Sequence, residues 1–423
     1  MMRNPIKMMF VFTFMGVCLF AQDWDAINAK LVRADAKAVV ALLSSKDVFE
    51  REAALAQIAR EDKRPELTRA AADALAALTS AEVKVQLITV LAERNDPAAL
   101  PAIRKALRDA DEDVRTAAII ASGMMRDDKA ADALIEMYRK LPGSEDIREA
   151  LRRIPNPAID RALVKTVNTR MYTNRAAALD LLVARRYHGV YALAMTPQFF
   201  DGADMALARS AAAAIRTYAP EGGFRPLLDF AQKLKPNAVD LLLGTLTTTL
   251  NEATDNVAHE KYIVSLLPTC QPDFAPVLTA LLGSSQGPIA LSVLSQRLET
   301  GDVETRKDAA RNLGKWNNED AIPALVFAGK NDRDLGVQNL AWRMLVDVAR
   351  RDEKMKITNR VVAALSETVW FAPRRAERSA ALDTLKLYAK KNDGVRGLLD
   401  RIEIERLELA DEVKQIKQEL NMK

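Results

Sequence analysis

The stretch of sequence that decides the fold begins at Asp96 and reads DPAALPAIRKALRDADEDVRTAAIIASG up to Gly123. Apolar residues recur at helical spacing over 96–107 and again over 114–123, and this pattern predicts two amphipathic helices. The polar residues 109–113 lie between them and predict a short turn. Two amphipathic helices joined by a short turn form an antiparallel pair, so the stretch predicts a helical hairpin.

The same sequence pattern recurs late in the chain. The second helix recurs as DVETRKDAARNLG over 302–314, and the first recurs as DAIPAL over 320–325. With Arg115 as a marker, positions that we take as equivalent recur at intervals of roughly 30 residues, the period of a helical repeat. They are Lys84, Arg148, Arg175, Arg209, Arg306 and Val337. We expect the basic markers to be structural residues that pair with acids in the adjacent inter-repeat turns.

A proline at the start of the first helix is a second marker. Each one precedes an apolar pair or lies among apolar residues, and the first turn of a helix tolerates proline because its amides have no intrahelical acceptor. These prolines are Pro101, Pro226, Pro276 and Pro323. Their recurrence predicts that the helix pair is repeated along most of the chain.

Paired helices of about 30 residues, with a second helix that opens Asp-x-x-Val-Arg and continues with paired alanines, resemble HEAT-type repeats. The similarity is to the short bacterial form described as phycobilin-lyase-like, and it covers most of residues 45–395. The resemblance implies an all-α fold, a right-handed α-solenoid of stacked antiparallel helix pairs. It also implies a binding scaffold, since a minority of such proteins are enzymes or bind nucleic acid.

The physical argument agrees with the resemblance. One helix pair cannot bury its apolar stripe alone, whereas stacked neighbours form a continuous core. With only 16 glycines and 17 prolines in 423 residues, the chain is also poor in the turn formers that an all-β fold needs. We therefore expect a repeat array over 22–397, preceded by a leader over 1–21 and followed by a charged helix over 398–423.

The N-terminal residues have the pattern of a secretory signal peptide. Arg3 and Lys7 precede an uncharged apolar run over 8–20, which is short for a membrane span, and Ala21 precedes polar residues. We expect cleavage after Ala21 and a periplasmic or secreted protein with no integral membrane span in the mature chain. The alternative is a lipoprotein acylated at Cys18.

The segment 398–423 departs from the repeat. It is charged throughout, and its apolar residues Leu409, Val413, Ile416 and Leu420 are spaced as a short coiled-coil seam. Two heptads are fewer than a coiled coil requires. We expect a capping helix that closes the last repeat, with homodimerisation through this helix as the alternative.

Catalytic and metal-binding patterns are weak. Gly283 to Gly287 matches G-x-S-x-G, but that motif needs a preceding strand and a later histidine, and the last histidine of the chain is His259. One histidine beside Glu260 does not supply a zinc site. The 61 basic and 57 acidic residues are interspersed, so a nucleic-acid partner is not indicated. We expect no enzyme, no cofactor and no metal.

Two segments have the composition of a binding surface. One contains Trp370, Phe371, Arg374 and Arg375, and the other contains Tyr187 and Tyr191 in an aromatic stretch that ends at Phe200. Tryptophan, tyrosine and arginine are enriched at interface hot spots. The alternative for both segments is packing between repeats, because apolar residues at helical spacing usually form the core of a solenoid.

These observations favour a non-enzymatic protein–protein interaction scaffold of the bacterial cell envelope, which binds another protein on an extended solenoid surface. Two alternatives remain open at this point. One is a lyase-like or other enzyme, by analogy with the HEAT family, and the other is a self-assembling structural protein of the envelope.

The leader can be tested by intact-mass measurement of the protein recovered from a bacterial envelope fraction. We expect the mature chain to start at Gln22. Because Cys18 is then removed with the leader, Cys18→Ser should leave the mass of the mature chain unchanged. A mature N-terminus at Cys18 that carries acyl groups and is lost in Cys18→Ser would establish the lipoprotein alternative instead.

Overall fold

The computed structural model describes residues 31–32, 34–60, 65–171, 173–252, 256–351, 358–389 and 392–421. The predicted leader 1–21 and Cys18 lie outside these ranges. Within them the regular structure is helical throughout, with no β-strand. The chain divides into two compact units, Met1–Val190 and Tyr191–Lys423.

The first unit consists of short helices joined by tight turns. Its helices are α1 (Ala36–Ala41), α2 (Val48–Ala59), α3 (Pro65–Ala74), α4 (Ala81–Arg94), α5 (Leu100–Ala106), α6 (Glu112–Met124), α7 (Ala131–Lys140), α8 (Glu145–Arg153), α9 (Pro157–Asn168) and α10 (Arg175–Ala184). The short helix α11 (Val190–Ala194) includes the boundary between the units.

The second unit continues in the same style with longer helices. They are α12 (Met205–Tyr218), α13 (Phe224–Ala231), α14 (Pro236–Asn251), α15 (Asn256–Leu266), α16 (Ala275–Ser285), α17 (Pro288–Thr300), α18 (Val303–Leu313), α19 (Ile322–Asn331), α20 (Leu335–Arg351), α21 (Asn359–Phe371), α22 (Arg375–Ala389), α23 (Asp393–Glu405) and α24 (Ala410–Glu419).

Successive helices pair, and the second helices of successive pairs stack on one another. In the first unit α2, α4, α6, α8 and α10 form this ladder, and in the second unit α12, α14, α16, α18, α20 and α22 do. First helices also contact one another, as in α15 to α17 to α19 to α21. The prediction of an all-α solenoid of stacked helix pairs is confirmed.

The second helices α6 and α18 begin in the same way. In α6 the N-cap Asp111 accepts hydrogen bonds from the amides of Asp113 and Val114, which satisfies donors that the helix leaves unpaired. In α18 Asp302 accepts from the amide of Thr305 at 2.7 Å. The Asp-x-x-Val pattern is therefore a helix start: the acid caps the helix, and Val114 is buried below it.

The arginine that follows this cap fastens the preceding turn. Arg115 Nη1 donates to the carbonyls of Asp109 and Ala110, both at 2.8 Å. Arg306 Nη1 donates to the carbonyl of Gly301, and its guanidinium forms two hydrogen bonds, of 2.8 and 3.0 Å, with Asp332 in the turn between α19 and α20. The same position holds Arg51 and Arg378, which also donate to carbonyls of the turn before their helices.

Counting residues from the N-cap shows which residue of each helix is equivalent to Arg115. Three of the predicted equivalents do not occupy that position. In α20 Asp334 is the cap, so the equivalent of Arg115 is Gln338, whose Nε2 donates to the carbonyl of Asp332, and not Val337. Arg175 is the first residue of its helix, and its Nε donates to the carbonyl of Val167. Arg209 lies one position further into its helix than Arg115 does, since its cap is Asp204.

The other markers lie where the repeat places them. Lys84 of α4 forms a 2.8 Å ion pair with Asp109 in the turn before α6, and this hydrogen bond lowers the pKa of Asp109. Arg148 of α8 pairs with Glu145 one turn earlier. Pro101 in α5, Pro226 in α13 and Pro323 in α19 lie in the first turn of first helices, as predicted. Pro276 lies in the first turn of α16, which is a second helix, so the prediction is wrong for that proline.

The segment 398–423 is not one helix. Helix α23 ends at Glu405, and a 3₁₀ turn over Leu407–Leu409 leads into α24. The break occurs at Arg406, whose guanidinium donates to the carbonyl of Trp370 at the end of α21. Among the seam residues, Leu409, Val413 and Ile416 are buried within the chain. The broken helix thus packs its apolar side against the end of the array. In the predicted homodimer the same side would have contacted a second copy.

No helix among the described residues is both long and apolar enough to cross a membrane.

Close approach of stacked second helices predicts opposite effects for two glycine-to-alanine substitutions. A Cβ at Gly123 of α6 would lie 2.6 Å from Ala150 Cα of α8, whereas a Cβ at Gly244 of α14 meets no heavy atom within 4 Å. We expect Gly123→Ala to lower the free energy of unfolding by about 1–3 kcal/mol through overpacking. Gly244→Ala should raise it by about 0.5–1 kcal/mol through reduced unfolded-state entropy. Thermal unfolding followed by circular dichroism measures both, and equal effects would contradict the close approach.

Candidate functional site

An open groove of about 230 Å³ lies on the ladder of second helices in the second unit. It crosses α18, α20 and the turn before α22. The residues that line it are Lys307, Arg311, Gly336, Asn339, Leu340, Arg343 and Arg374. Four of them are cationic, and no carboxylate lines the groove.

Helical periodicity explains why these residues share one surface. Residues three or four positions apart lie on the same face of a helix, which brings Lys307 beside Arg311 and Asn339 beside Arg343. The packing of α18 against α20 then joins the two faces. Gly336 has no side chain, and the position that a Cβ would take there lies 2.9 Å from Asp334 Oδ1 and 3.5 Å from Lys307 Cε. The lysine stem can therefore lie across α20.

Three of the cations are available to an incoming ligand. Lys307 pairs with Glu304 at 2.8 Å and Arg311 pairs with Asp308 at 2.6 Å, both within α18 and both near its surface. Such exposed pairs contribute little free energy, so they exchange readily with another carboxylate. Arg374 is exposed and has no ion pair within the described part of the chain.

The fourth cation has a structural task as well. Arg343 Nη2 lies 3.1 Å from Oε1 of Glu377 on α22, and the side chain of Glu377 is 3% exposed while that of Arg343 is 55% exposed. A buried carboxylate is costly unless a cation or hydrogen-bond donors compensate it. Arg343 therefore balances Glu377 with one edge of its guanidinium and presents the rest to the groove.

Asn339 lies at the bottom of the groove with its hydrogen-bonding capacity unused. The residue is 3% exposed, and neither its Nδ2 nor its Oδ1 has a hydrogen-bond partner in the described residues. An asparagine carboxamide supplies two donor hydrogens and one acceptor oxygen, and leaving such a group unpaired in the interior destabilises the fold. Both polar atoms of Asn339 are enclosed by the protein, so this amide is a buried polar group beside the groove.

The segment that the sequence singled out at 370–375 contributes one residue to this groove, Arg374. Trp370 lies against Arg406, whose Cζ is 5.9 Å from the ring centroid. Phe371 is 56% exposed, with Lys330 Nζ 4.8 Å from its ring centroid. Arg375 forms a 2.7 Å ion pair with Glu412 of α24. Trp370 and Arg375 thus contact the C-terminal helices.

The second aromatic segment is divided between the units. In the first unit Tyr187 is half-buried, with its ring centroid 4.8 Å from that of His188. In the second unit Tyr191 is half-buried, its hydroxyl oxygen has no partner in the described residues, and burial raises its pKa. Phe199 and Phe200 are buried, and Phe200 stacks edge-on against Phe230. The two phenylalanines are core residues.

The serine of the G-x-S-x-G match has a structural setting. Ser285 is the last residue of the helix α16, and its hydroxyl donates to Glu260 Oε1 at 2.7 Å. Glu260 is fully buried and also accepts from the amides of Ile289 and Ala290, so it caps α17. His259 packs edge-on against Phe224. Within the described ranges no group of three or more His, Cys, Asp or Glu residues could hold a metal ion.

Lys307, Arg311, Asn339 and Arg343 were not predicted as site residues. These residues can be recognised in the sequence when the repeats are aligned on their N-cap residues. Lys307 follows Arg306 by one position, as Asn339 follows Gln338, and Arg311 and Arg343 are then also equivalent. With Val337 as the marker, the alignment was shifted by one residue, and the shared polar positions of α18 and α20 were not apparent.

Comparison with known proteins identifies the repeat. Residues 77–152 match the family model for HEAT repeats, and this range extends from the turn before α4 through most of α8. The HEAT-repeat prediction is thereby confirmed. No curated protein matches the sequence.

Solved structures to which the chain is similar include Kap95p, described in complex with RanGDP, at 11% identity and a TM-score of 0.46, covering 94% of this chain and 63% of that one. Kap121p is similar at 13% identity and a TM-score of 0.46, covering 98% and 52%. The CpcE–CpcF complex of phycocyanin lyase from Nostoc sp. PCC7120 is similar at 16% identity and a TM-score of 0.24, covering 79% and 94%. The chain spans less than two thirds of the length of the first two.

The Arg343–Glu377 contact predicts non-additive stability effects. Arg343→Gln should lower the free energy of unfolding by about 1–3 kcal/mol, because the buried Glu377 loses the cation that compensates its charge. The double variant Arg343→Gln/Glu377→Gln should recover more than half of that loss, because neutral amides can remain together without the desolvation cost. Urea unfolding of the four proteins measures this, and simple addition of the two single effects would show that the pair is not coupled.

Proposed function

We propose that this HEAT-repeat chain is a non-enzymatic interaction scaffold, exported to the bacterial cell envelope, which binds another protein on the second-helix surface of its second unit. A repeat array presents many side chains of equivalent position along one surface, and this geometry suits an extended protein partner. The partner would contact α18, α20 and the start of α22 together.

The groove is the observation that carries this proposal. It collects Lys307, Arg311, Arg343 and Arg374 on one surface of the second helices. Electrostatic complementarity of this kind speeds association and selects among partners. The groove holds no nucleophile beside a general base, and this supports binding over catalysis.

Export to the envelope is supported by the sequence alone, through the basic and apolar pattern of residues 1–21. Self-assembly through the C-terminal helix is the less favoured alternative, because Leu409, Val413 and Ile416 are already buried within one copy.

The proposal predicts that one partner depends on the groove. Purified mature chain would be immobilised and exposed to envelope extract, beside the variant Lys307→Gln/Arg311→Gln/Arg374→Gln, which leaves the Arg343–Glu377 pair intact. We expect a protein that the wild-type chain retains and the variant loses by at least tenfold, since contacts at hot spots are worth several kcal/mol in total.

The matched control removes three exposed cations outside the groove, Lys233→Gln/Lys235→Gln/Arg401→Gln. It should retain the same protein as wild type, and the two variants carry equal net charge. If both variants lose the partner equally, binding reflects general charge, and the proposed surface is wrong. If no protein is retained by any of the three chains, the scaffold proposal itself fails.

A further inference from the structure

We infer that Lys315 is a site of reversible covalent modification, at which the side-chain amine adds to carbon dioxide and forms a carbamate. The residue lies where α18 ends against α20, and it is not among the residues that line the groove. Carbamate formation requires no protein partner, so this property of the second unit is independent of the proposed function.

The amine of Lys315 is held in place and can be reached from solvent. The residue is exposed and follows Gly314, the C-cap of α18, where a Cβ would lie 2.5 Å from Met344 Sδ of α20. Lys315 Nζ donates to Asn312 Oδ1 at 2.8 Å, and Asn312 Nδ2 donates in turn to the carbonyl of Asp308 at 2.9 Å. A neutral amide oxygen thus fixes the amine at the end of the helix.

The acceptor of this hydrogen bond is not a carboxylate, and that separates Lys315 from another lysine of the same helix. Lys307 Nζ lies 2.8 Å from Oε1 of Glu304, and this hydrogen bond raises the pKa of Lys307, so its amine keeps the proton. Lys315 forms no ion pair within the residues that the structure describes. Its neutral form is therefore not disfavoured by a bound carboxylate.

The surroundings of Lys315 favour the neutral amine further. Desolvation lowers the pKa of Lys315, and the positive charge of Arg351 at the end of α20 lowers it as well. Asp308 acts in the opposite direction, but its carboxylate is paired with Arg311 at 2.6 Å. Desolvation and a neighbouring cation are two conditions that activate a lysine as a nucleophile.

The reaction with carbon dioxide balances without a further reagent. The lone pair of the neutral Nζ attacks the carbon of CO₂, a C–N bond forms, and one electron pair of a C=O bond moves onto its oxygen. The nitrogen then releases a proton to water. The amine becomes a carbamate with one negative charge, and nothing is oxidised or reduced.

The carbamate also suits its surroundings better than the ammonium group does. Its nitrogen keeps one hydrogen, which can still donate to Asn312 Oδ1, and its two oxygens match the planar donors of a guanidinium. Arg351 is exposed and forms no ion pair within the described ranges, so it is available to the carbamate. Repulsion between Lys315 and Arg351 would become attraction.

The test traps the carbamate and locates it. The purified mature chain would be equilibrated with isotope-labelled bicarbonate at mildly alkaline pH, treated with triethyloxonium ion to convert carbamates into ethyl esters, digested and analysed by mass spectrometry. We expect at least tenfold more ester on Lys315 than on Lys307, because a difference of one pKa unit changes the neutral fraction about tenfold.

Two variants of equal net charge test the role of the neighbouring cation. Arg351→Gln should lower the ester on Lys315 by about threefold or more, because it removes both the charge that lowers the pKa of Lys315 and the counter-charge of the carbamate. Arg333→Gln is the matched control. It removes an exposed arginine just before the opposite end of α20, whose 17 residues span roughly 25 Å, and it should leave the modification of Lys315 unchanged.

Trace acetylation with acetic anhydride over a pH series gives a second readout. Lys315 should reach half of its maximal reactivity at a lower pH than the exposed Lys233 and Lys235, in keeping with its lowered pKa. Arg351→Gln should shift that midpoint upward, and Arg333→Gln should not.

Three results would overturn the inference. Equal amounts of ester on Lys315, Lys233 and Lys235 would show only the ordinary reactivity of exposed amines. Equal losses in Arg351→Gln and Arg333→Gln would show that no particular cation acts on Lys315. Early acetylation of Lys315 without any trapped ester would show a reactive amine that does not take up carbon dioxide. Binding of an envelope protein to the groove would be unaffected by each of these results.

Discussion

Each helix pair of this protein has an apolar side that it cannot bury by itself, and the rest of the structure follows from that constraint. The second helices bury this side against one another, from α2 to α10 in the first unit and from α12 to α22 in the second. Small residues let them approach closely, as Gly123 does beside Ala150. Because each pair depends on its neighbours, stability in each unit is a sum of interfaces between successive pairs.

The polar part of the repeat holds this stacking in register. In α6 and α18 an N-cap acid starts the second helix, and an arginine one turn later donates to carbonyls of the preceding turn, as Asp111 and Arg115 do. Arg306 extends the arrangement by also binding Asp332 in the next turn. The last repeat has no further pair to cover it, and the broken helix α23–α24 supplies the apolar residues Leu409, Val413 and Ile416 instead.

The groove on α18 and α20 is a by-product of the same regularity. Equivalent positions of α18 and α20 hold Lys307 and Asn339, then Arg311 and Arg343, so stacking places the four side chains together. The departures from a generic repeat are chemical. Arg343 compensates the buried Glu377, and Asn339 retains an unpaired amide, where an apolar residue would have packed more favourably. Such a cost to stability is typical of a functional site.

The sequence by itself determined the helix pairs, their recurrence and the start of many helices at an N-cap or a proline, because these depend on residues close together along the chain. It also marked Arg374 as a surface residue of interest. Only the tertiary structure decided the groove, since Lys307, Asn339 and Arg374 are distant in sequence and meet through the packing of α18, α20 and α22. It likewise decided that the helix predicted over 398–420 breaks at Arg406, because the carbonyl of Trp370 that binds this arginine belongs to another helix.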